Sequence, residues 1–394
     1  MLNRLMLMAA LAAPAMAQDQ RPLLIPAAAF SASAPRDAAA QAALLAKADA
    51  ALALKPPSVL DKSMTPASGD KHDFLSFGPY WWPNPSKPDG LPYIRRDGER
   101  NPAIADGSDS AAFSRVCSSV ETLGLAFWIT RDERYAAKAA ALVRVFFLDA
   151  KTRMNPNFQH AQAIPGVSAG RGIGLIEARW LIHLNEGLAL LAPAKSWTAT
   201  DRREMRDWLE SFYTWLRTSA NGRDEQAERN NHGSWYDAQT AHLALVLGRK
   251  EDAKAILQEG LKRRVAAHIE PDGSQPHELA RTRSLDYAIF NLEALMLCAQ
   301  LADHVGLDWW NFATVDGRSL HAALAFLAPF ADPRKTWPKR DVYAADRGRL
   351  IPLLAQFLRH RDDASLRRIY DAFAVAGPVD SHERLFGDLQ LPRR

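Results

Sequence analysis

Two short stretches of the chain carry side chains suited to proton transfer and anion binding. The first holds Asn230, Asn231 and His232, which come just before an apolar helical pattern with Ser234 as its expected N-cap. Amide and imidazole groups beside the free backbone N–H groups of a helix terminus can converge on an anion. The residues alone leave a simpler alternative open, in which Asn230 and Asn231 only form a turn.

The second stretch runs from His277 to Tyr287 and holds basic and phenolic groups at the start of an apolar helix. Arg281 and Tyr287 are six residues apart, or about 600° around an ideal helix, so a straight helix would not place them on one face. If both serve one site, a helix must begin or bend between them. The alternative is that Arg281 pairs with Glu278 at the surface and that Tyr287 fills the core with its hydroxyl bonded.

These residues must be positioned by helices, because apolar residues recur at three- and four-residue steps along most of the chain. Helices are predicted at 37–55, 111–129, 131–147, 174–191, 199–218, 234–247, 251–267, 284–305, 319–330, 350–360 and 364–375. Strand patterns are nearly absent, and the connections are mostly short. We therefore expect an all-α fold, an (α/α) toroid or barrel of antiparallel helical hairpins, although a helical solenoid fits the pattern almost as well. Residues 56–110 instead form a long aromatic and Pro-rich loop, which is often a functional feature.

Composition excludes several classes of protein. The 394 residues are 47% hydrophobic and 24% charged, which is ordinary globular usage and excludes a disordered chain, a collagen or a multi-span membrane protein. A formal net charge of +4 is too weak to indicate nucleic acid and suits an anionic ligand. Cys117 and Cys298 are too few for a disulfide-built fold, and whether they pair stays open. No zinc spacing or nucleotide-binding motif is present, so no metal or cofactor is expected.

The N-terminus has the pattern of a secretory signal. Arg4 precedes an apolar run at 5–13, and Ala15 and Ala17 form a small-residue cleavage site. Residues 1–17 are thus the expected signal peptide, and 18–394 the expected single catalytic domain, in the periplasm or outside the cell. The alternative is a slightly hydrophobic tail. No other stretch looks long and apolar enough to cross a membrane.

Four segments together resemble the alginate lyase domain family, especially polysaccharide lyase family 38 and more distantly family 5. They are FGPYWWPNPSKPDGLPYIRRDGERNP (77–102), TRMNPNFQHAQAIPG (152–166), NNHGSWYDAQ (230–239) and HELARTRSLDY (277–287). The resemblance implies an (α/α) toroid, secretion, and cleavage of 1,4-linked polyuronates by β-elimination without an obligatory metal. It also implies an active site made of Asn231, His232, Tyr287 and Arg281, with Asn230 as the less favoured match for the asparagine.

This chemistry explains why such groups are needed. Removing the C5 proton of a 4-linked uronate makes an enolate-like dianion, which N–H groups of Asn231, His232 or Arg281 would stabilise, each worth on the order of 3 kcal/mol. In β-D-mannuronate and β-D-glucuronate, H5 and the leaving O4 lie on the same side. Tyr287 could then act as base and afterwards as acid, with its pKa lowered by nearby positive charge. In α-L-guluronate elimination is anti, with His232 as base and Tyr287 as acid; we favour the syn route.

Other residues are expected to bind neighbouring sugars of an anionic uronic-acid polysaccharide. Tyr80, Trp81 and Trp82 could stack on sugar rings, although the Trp pair could instead plug the toroid. Lys87, Arg95 and Arg96 could hold carboxylates, and His160 and Gln162 are further expected contacts.

Two other functions remain open at this stage. An (α/α)-barrel glycoside hydrolase would need a pair of carboxylates, for which Glu278, Asp286 and Asp237 are available without distinctive context. A non-catalytic helical toroid could bind surface glycans. Within the lyase interpretation, glucuronan and mannuronate-rich alginate are not separated, and endo or exo action and the oligomeric state are undetermined.

Overall fold

The computed structural model describes residues 21–30, 37–105, 107–374 and 385, and this part of the chain is mostly helical. The expected signal peptide at 1–17 lies outside the described residues. The α-helices are α1 (Ala38–Leu52), α2 (Ser110–Thr130), α3 (Glu133–Val143), α4 (Trp180–Leu190), α5 (Ala199–Thr218), α6 (Ala220–Ala227), α7 (Asn231–Val246), α8 (Lys250–Gly260), α9 (Ala266–His268), α10 (Pro276–Leu279), α11 (Ser284–Asp303), α12 (Leu320–Leu327), α13 (Leu350–His360) and α14 (Ala364–Phe373).

The helices form two layers that alternate along the chain. Helices α2, α4, α7, α11 and α13 form one continuous layer, each packed against the next. The second layer includes α3, α8, α12 and α14, each of which packs against a neighbour in the first. This alternation is that of an (α/α) toroid, so the predicted all-α fold is confirmed. Helices α7 and α11 are buried on nearly all sides; α11 is accordingly apolar around most of the helix, whereas α7 also buries polar side chains such as Asn231 and Asp237.

Local sequence explains where the helices begin and end. Helix α5 starts with a capping box, in which Thr198 accepts from the backbone N–H of Asp201 and Asp201 accepts from that of Thr198. The buried residues of α5 then recur at three- and four-residue steps, including Met205, Trp208 and Leu209. The predicted bounds 199–218 and 350–360 coincide with α5 and α13.

Near the site, the start of one helix and the presence of another differ from the prediction, whereas the start of α11 at Ser284 agrees with it. Helix α7 begins at Asn231 rather than 234, because Asn230 is the N-cap and accepts from the His232 backbone N–H. The octapeptide of α6 has no apolar period and was not predicted; Ser219 caps it. Between the short α10 and α11 the chain makes a turn, so a helix does begin between Arg281 and Tyr287 as their spacing requires.

Four short strands organise the loops around the site. Strand β1 (Leu75–Phe77) pairs in parallel with β4 (His160–Ala163), and β2 (Trp81–Trp82) pairs antiparallel with β3 (Ile94–Arg95). The long loop at 56–110 is thereby tied to the amide-rich loop at 152–166, the two regions that the sequence singled out on separate grounds.

Two further expectations can be compared with the structure. Cys117 and Cys298 are both buried and free, and they lie in different hydrophobic clusters, so they do not pair. We also expected no further stretch to be long and apolar enough to cross a membrane. That expectation was wrong, because the helix Ser284–Asp303 has the length and the apolar composition of a membrane-spanning helix. However, 72% of its apolar window is buried inside the protein, which is typical of a core helix.

Candidate active site

A cleft of about 890 Å³ lies where α7 and α11 begin, beside the loops that carry β2, β3 and β4. It brings together most of the residues that the sequence and the resemblance selected. Its lining includes Asn230, Asn231, His232, Arg281, Tyr287, Tyr80, Trp81, Arg95 and Gln162.

Tyr287 lies in the first turn of α11, and two groups contact its hydroxyl. The hydroxyl oxygens of Tyr287 and Tyr80 are 2.7 Å apart and share a hydrogen bond. Arg281 Nη2 donates to Tyr287 Oη at 3.0 Å, and its guanidinium carbon lies 4.0 Å from the centre of the Tyr287 ring. Arg281 therefore approaches from the turn before the helix, as the spacing argument required.

The electrostatics at Tyr287 correct one expectation. Burial is the largest influence and, together with Tyr80, raises the pKa of Tyr287 above its ordinary value, and Arg281 opposes that rise only in part. The expected lowering of this pKa by nearby positive charge is therefore wrong. The phenol is neutral at ordinary pH, which suits it to donate a proton.

Asp97 holds Arg281 in place. It accepts from Arg281 Nη2 at 2.8 Å and Nε at 3.2 Å, and it also pairs with Arg95. Burial acts against the charged carboxylate, but the two guanidiniums outweigh it and hold the pKa of Asp97 well below its usual range. The suggested surface pair between Arg281 and Glu278 does not form, because Glu278 is buried and bonded elsewhere.

His232 is oriented by a fully buried carboxylate. Glu225 Oε1 lies 2.9 Å from His232 Nδ1, so Nδ1 carries a proton and Nε2 is left for a ligand. Burial of the ring opposes its charged form, but Glu225, Glu228 and Glu278 outweigh this and raise the pKa of His232. An imidazolium at this position suits neutralisation of a carboxylate better than removal of a proton.

The two asparagines have different roles. Asn230 caps α7 and donates to Glu228 through its amide. Asn231 is fully buried and donates to Glu278 through its backbone N–H and through Nδ2, at 2.6 and 2.7 Å. Its second Nδ2 hydrogen is not used by these bonds. The sequence left open that both asparagines only form a turn. In the structure they lie at the start of α7, and both side-chain amides donate hydrogen bonds.

Gln162 and Trp81 form a second part of the cleft. Gln162 has a φ of 48°, which is unusual for a residue other than glycine, and the Ser76 hydroxyl accepts its backbone N–H. Arg171 donates to the backbone and side-chain oxygens of Gln162 and lies 5.8 Å from the Trp81 ring centre. Because Gly78 has no side chain, Trp81 and Arg171 can occupy the space beside it.

Some selected residues do not line the cleft. Trp82 is half-buried, donates to the Glu99 carbonyl and has Arg96 over its ring. His160 is buried, and its Nδ1 bonds the Ala169 carbonyl. Lys87 is exposed on the hairpin between β2 and β3. Trp82 and His160 therefore support the loops rather than the cleft surface, and Lys87 lies outside the cleft.

The carboxylates that a hydrolase would need are already engaged. Glu278 holds Asn231, and Asp237 is buried against Arg264. Asp286 is ion-paired with Arg283 and Arg349. None of the three is paired with another across the cleft, so the glycoside hydrolase alternative has no support here. Among the described residues, no group of three or more His, Cys, Asp or Glu side chains is arranged to hold a metal ion.

Several site residues were missed by the sequence analysis, namely Glu225, Asp97, Arg171 and Arg179. Arg171 and Arg179 line the cleft, and Glu225 and Asp97 are bonded to residues that line it; only the tertiary fold brings these four together with the predicted site. The signal that could have found Asp97 and Arg171 is their position inside or next to the segments that carry the resemblance.

Comparison with known proteins decides the family. The alginate lyase family model matches residues 58–337 of the chain. The chain belongs to the alginate lyase family. Membership makes it a polysaccharide lyase. No curated protein matches it.

Solved structures agree with this assignment. An alginate lyase from Bacteroides ovatus is 40% identical, with a TM-score of 0.85 over 89% of this chain and 93% of that one. Alginate lyase A1-III from Sphingomonas species A1 is 18% identical, with a TM-score of 0.50 over 85% and 92% of the two chains. A histidine-to-alanine variant of alginate lyase A1-III, complexed with tetrasaccharide, is 18% identical, with a TM-score of 0.53 over 84% and 90%. At such identity the A1-III structures show a shared fold.

Proposed function

We propose that the protein cleaves β-1,4-linked polyuronates, either mannuronate-rich alginate or glucuronan, by syn β-elimination. The observation that carries this proposal is the position of the Tyr287 hydroxyl, which accepts a hydrogen bond from Arg281 Nη2 and shares another with Tyr80 Oη, in a cleft that also holds His232. The relative from Bacteroides ovatus is an alginate lyase, which favours alginate.

Tyr287 moves the proton. Tyr287 first loses its own proton to solvent; the phenolate then takes the proton from C5 of the bound uronate, and Arg281 stabilises its negative charge by donating to its oxygen. The C4–C5 double bond forms as the C4–O4 bond breaks, and Tyr287 returns the proton to O4. One group serves both steps because H5 and O4 lie on one side of the sugar. The raised pKa of Tyr287 makes its phenolate a stronger base toward the C5 proton, and the phenol that results holds the proton that O4 needs.

His232 and Asn231 hold the carboxylate of the same uronate. Charged His232 offers its Nε2 hydrogen, and Asn231 offers its remaining amide hydrogen. Charge that develops on the carboxylate during proton removal is then met by fixed donors, which favours the transition state over the ground state. This assignment leaves no free base for anti elimination, so blocks of α-L-guluronate should be poor substrates.

A panel assay tests the proposal. The purified protein is given polymannuronate, glucuronan, polyguluronate and hyaluronan, and ultraviolet absorbance follows the conjugated 4,5-unsaturated uronate that elimination makes. We expect a rise with polymannuronate or glucuronan. New reducing ends without a rise in absorbance would instead indicate hydrolysis. Binding without any cleavage would favour a glycan-binding toroid.

We further propose that the chain is exported to the periplasm or beyond. The support is the signal-like pattern at 1–17 and the size of the substrate, which is a polymer. Fractionation of cells that express the full-length chain tests this proposal, with N-terminal sequencing of the exported product expected to begin near Gln18.

A further inference from the structure

The arginines of the cleft are unevenly paired with acids. Seven arginines line it, and four form ion pairs: Arg95 and Arg281 with Asp97, and Arg283 and Arg349 with Asp286. In the described part of the chain, no carboxylate lies within ion-pair distance of Arg100, Arg171 or Arg179. Arg171 donates to Gln162, whereas Arg100 and Arg179 have no side-chain hydrogen-bond acceptor among the described residues.

Arg179 is held in a fixed position without being neutralised. Its guanidinium carbon lies 5.1 Å from the Trp180 ring centre and 5.4 Å from that of Phe290, and Nη1 donates to the Ile176 carbonyl. Burial is the main reason why the pKa of Arg179 is lowered; the charges of Glu177 and Glu293 oppose this lowering in part, and those of Arg100 and Arg349 add to it. A desolvated guanidinium with unused N–H groups in an open cleft is a ready site for an anion.

Glu177, two residues before Arg179, is the nearest acid along the chain, and its carboxylate is hydrogen-bonded to other residues. Its two carboxylate oxygens accept from the hydroxyls of Ser76 and Ser110. Burial raises the pKa of Glu177, which weakens its ability to neutralise Arg179.

The position of Arg179 relative to Tyr287 suggests which anion it holds. Phe290 follows Tyr287 by three residues on α11, so both rings lie on one face, about 4.5 Å apart along the helix axis. Arg179 packs on Phe290, so Arg179 and Tyr287 face the same cleft beside the first turns of α11. The carboxylate of the reacting uronate is already met by His232 and Asn231.

We infer that Arg179, with Arg100 beside it, forms a second carboxylate subsite that binds the uronate next to the one being cleaved. This inference rests on the proposed function. It makes charge on the neighbouring sugar a requirement for tight binding, so the protein would select chains with consecutive uronates over chains in which uronates alternate with neutral sugars.

The test measures binding separately from catalysis. Saturated tetramannuronate is titrated calorimetrically into Tyr287→Phe, into Tyr287→Phe with Arg179→Gln, and into Tyr287→Phe with Arg206→Gln as a matched control. Arg206 is an exposed arginine of α5 outside the cleft. We expect Kd to rise about tenfold or more with Arg179→Gln, as for loss of a charge-assisted hydrogen bond, and to stay unchanged with Arg206→Gln. With Tyr287 intact, Arg179→Gln should raise KM with little change in kcat.

The outcomes separate the two proposals. If Tyr287→Phe binds the tetrasaccharide and Arg179→Gln leaves Kd unchanged, the subsite is wrong and the proposed function stands. If the parent protein neither binds nor cleaves any uronate, the proposed function fails and the subsite with it. Should Arg179→Gln not fold, Arg100→Gln at the exposed end of the pair replaces it, with an expected rise in Kd of about threefold, and an unchanged Kd would again overturn the subsite.

Discussion

The hydroxyl oxygens of Tyr80 and Tyr287 lie 2.7 Å apart although 207 residues separate them in the chain. Tyr80 comes from the long irregular loop and Tyr287 from the first turn of α11. Their bond joins the segment with no helical pattern to the helix that carries the reactive phenol. The position of the loop thus affects the chemistry directly, and this relationship leads to the first prediction.

Substituting Tyr80 by phenylalanine should lower kcat by about tenfold and leave KM nearly unchanged. The variant keeps the ring but removes the hydroxyl that shares a hydrogen bond with Tyr287, so the phenol oxygen is held less firmly in the position from which it removes the C5 proton. Initial rates with polymannuronate or glucuronan measure the effect. A large rise in KM at constant kcat would show instead that Tyr80 only binds sugar.

Replacing Glu225 by glutamine should shift the alkaline limb of the pH profile of kcat/KM toward lower pH. Glu225 raises the pKa of His232, so its loss lowers that pKa, and the imidazolium that meets the substrate carboxylate disappears at a lower pH. Rates measured across a pH series give the shift.

Glu121→Gln is the matched control for this experiment. Glu121 also bonds a histidine, His183 at 2.7 Å, but His183 does not line the cleft. The control profile should coincide with that of the parent. An identical shift in both variants would mean that His232 is not the group being observed.

Gly78→Ala should raise KM several-fold with a smaller effect on kcat. An added Cβ would lie 2.5 Å from Trp81 Cδ1 and 2.8 Å from Arg171 Nη2, so both side chains must move. Gly69→Ala in the same loop is the control, because it strains a left-handed backbone but meets no atom within 4 Å. If both variants raise KM equally, loop stability rather than the position of Trp81 explains the effect.

His268 should make the fold sensitive to acid. Burial first, and Arg264 and His277 next, lower its pKa to about 3, whereas the unfolded chain has the ordinary value near 6.5. As pH falls below about 6.5, the unfolded state binds a proton that the folded state does not, so stability is lost progressively down to about pH 3. Between pH 7.5 and pH 5, this group should cost about 2 kcal/mol.

Urea unfolding at these two pH values measures that cost. In His268→Gln the fall in stability between pH 7.5 and pH 5 should be smaller than in the parent by about 2 kcal/mol. Exposed His304 provides the control, and His304→Gln should fall as the parent does. An unchanged pH dependence in His268→Gln would show that His268 is not buried in its neutral form.

The helices could be predicted because their buried faces repeat at the helical period. Helix α6 could not, since its residues are polar and it is held by the Ser219 cap and by neighbouring helices. The start of α7 was misplaced by three residues because Asn230 and Ser234 are both good caps, and only the structure shows that Asn230 is used.

The site could be predicted in part, because most of its residues stand in the segments that carry the family resemblance. The spacing of Arg281 and Tyr287 required a break in the helix, and that break is present between α10 and α11. The pKa of Tyr287 could not be foreseen, because burial outweighs the nearby arginine and burial is a property of the tertiary fold. The same holds for Glu225, which is a carboxylate in a polar run and yet fully buried.

The most direct test of the account is the rate of double-bond formation in Tyr287→Phe. Polymannuronate and glucuronan are given to the parent and to the variant, unfolding curves confirm that both are folded, and ultraviolet absorbance records the unsaturated product. Because one phenol both removes and returns the proton, we predict a loss of kcat of at least about 100-fold with retained binding of the polymer. A variant that produces unsaturated uronate at a rate close to that of the parent would contradict the account.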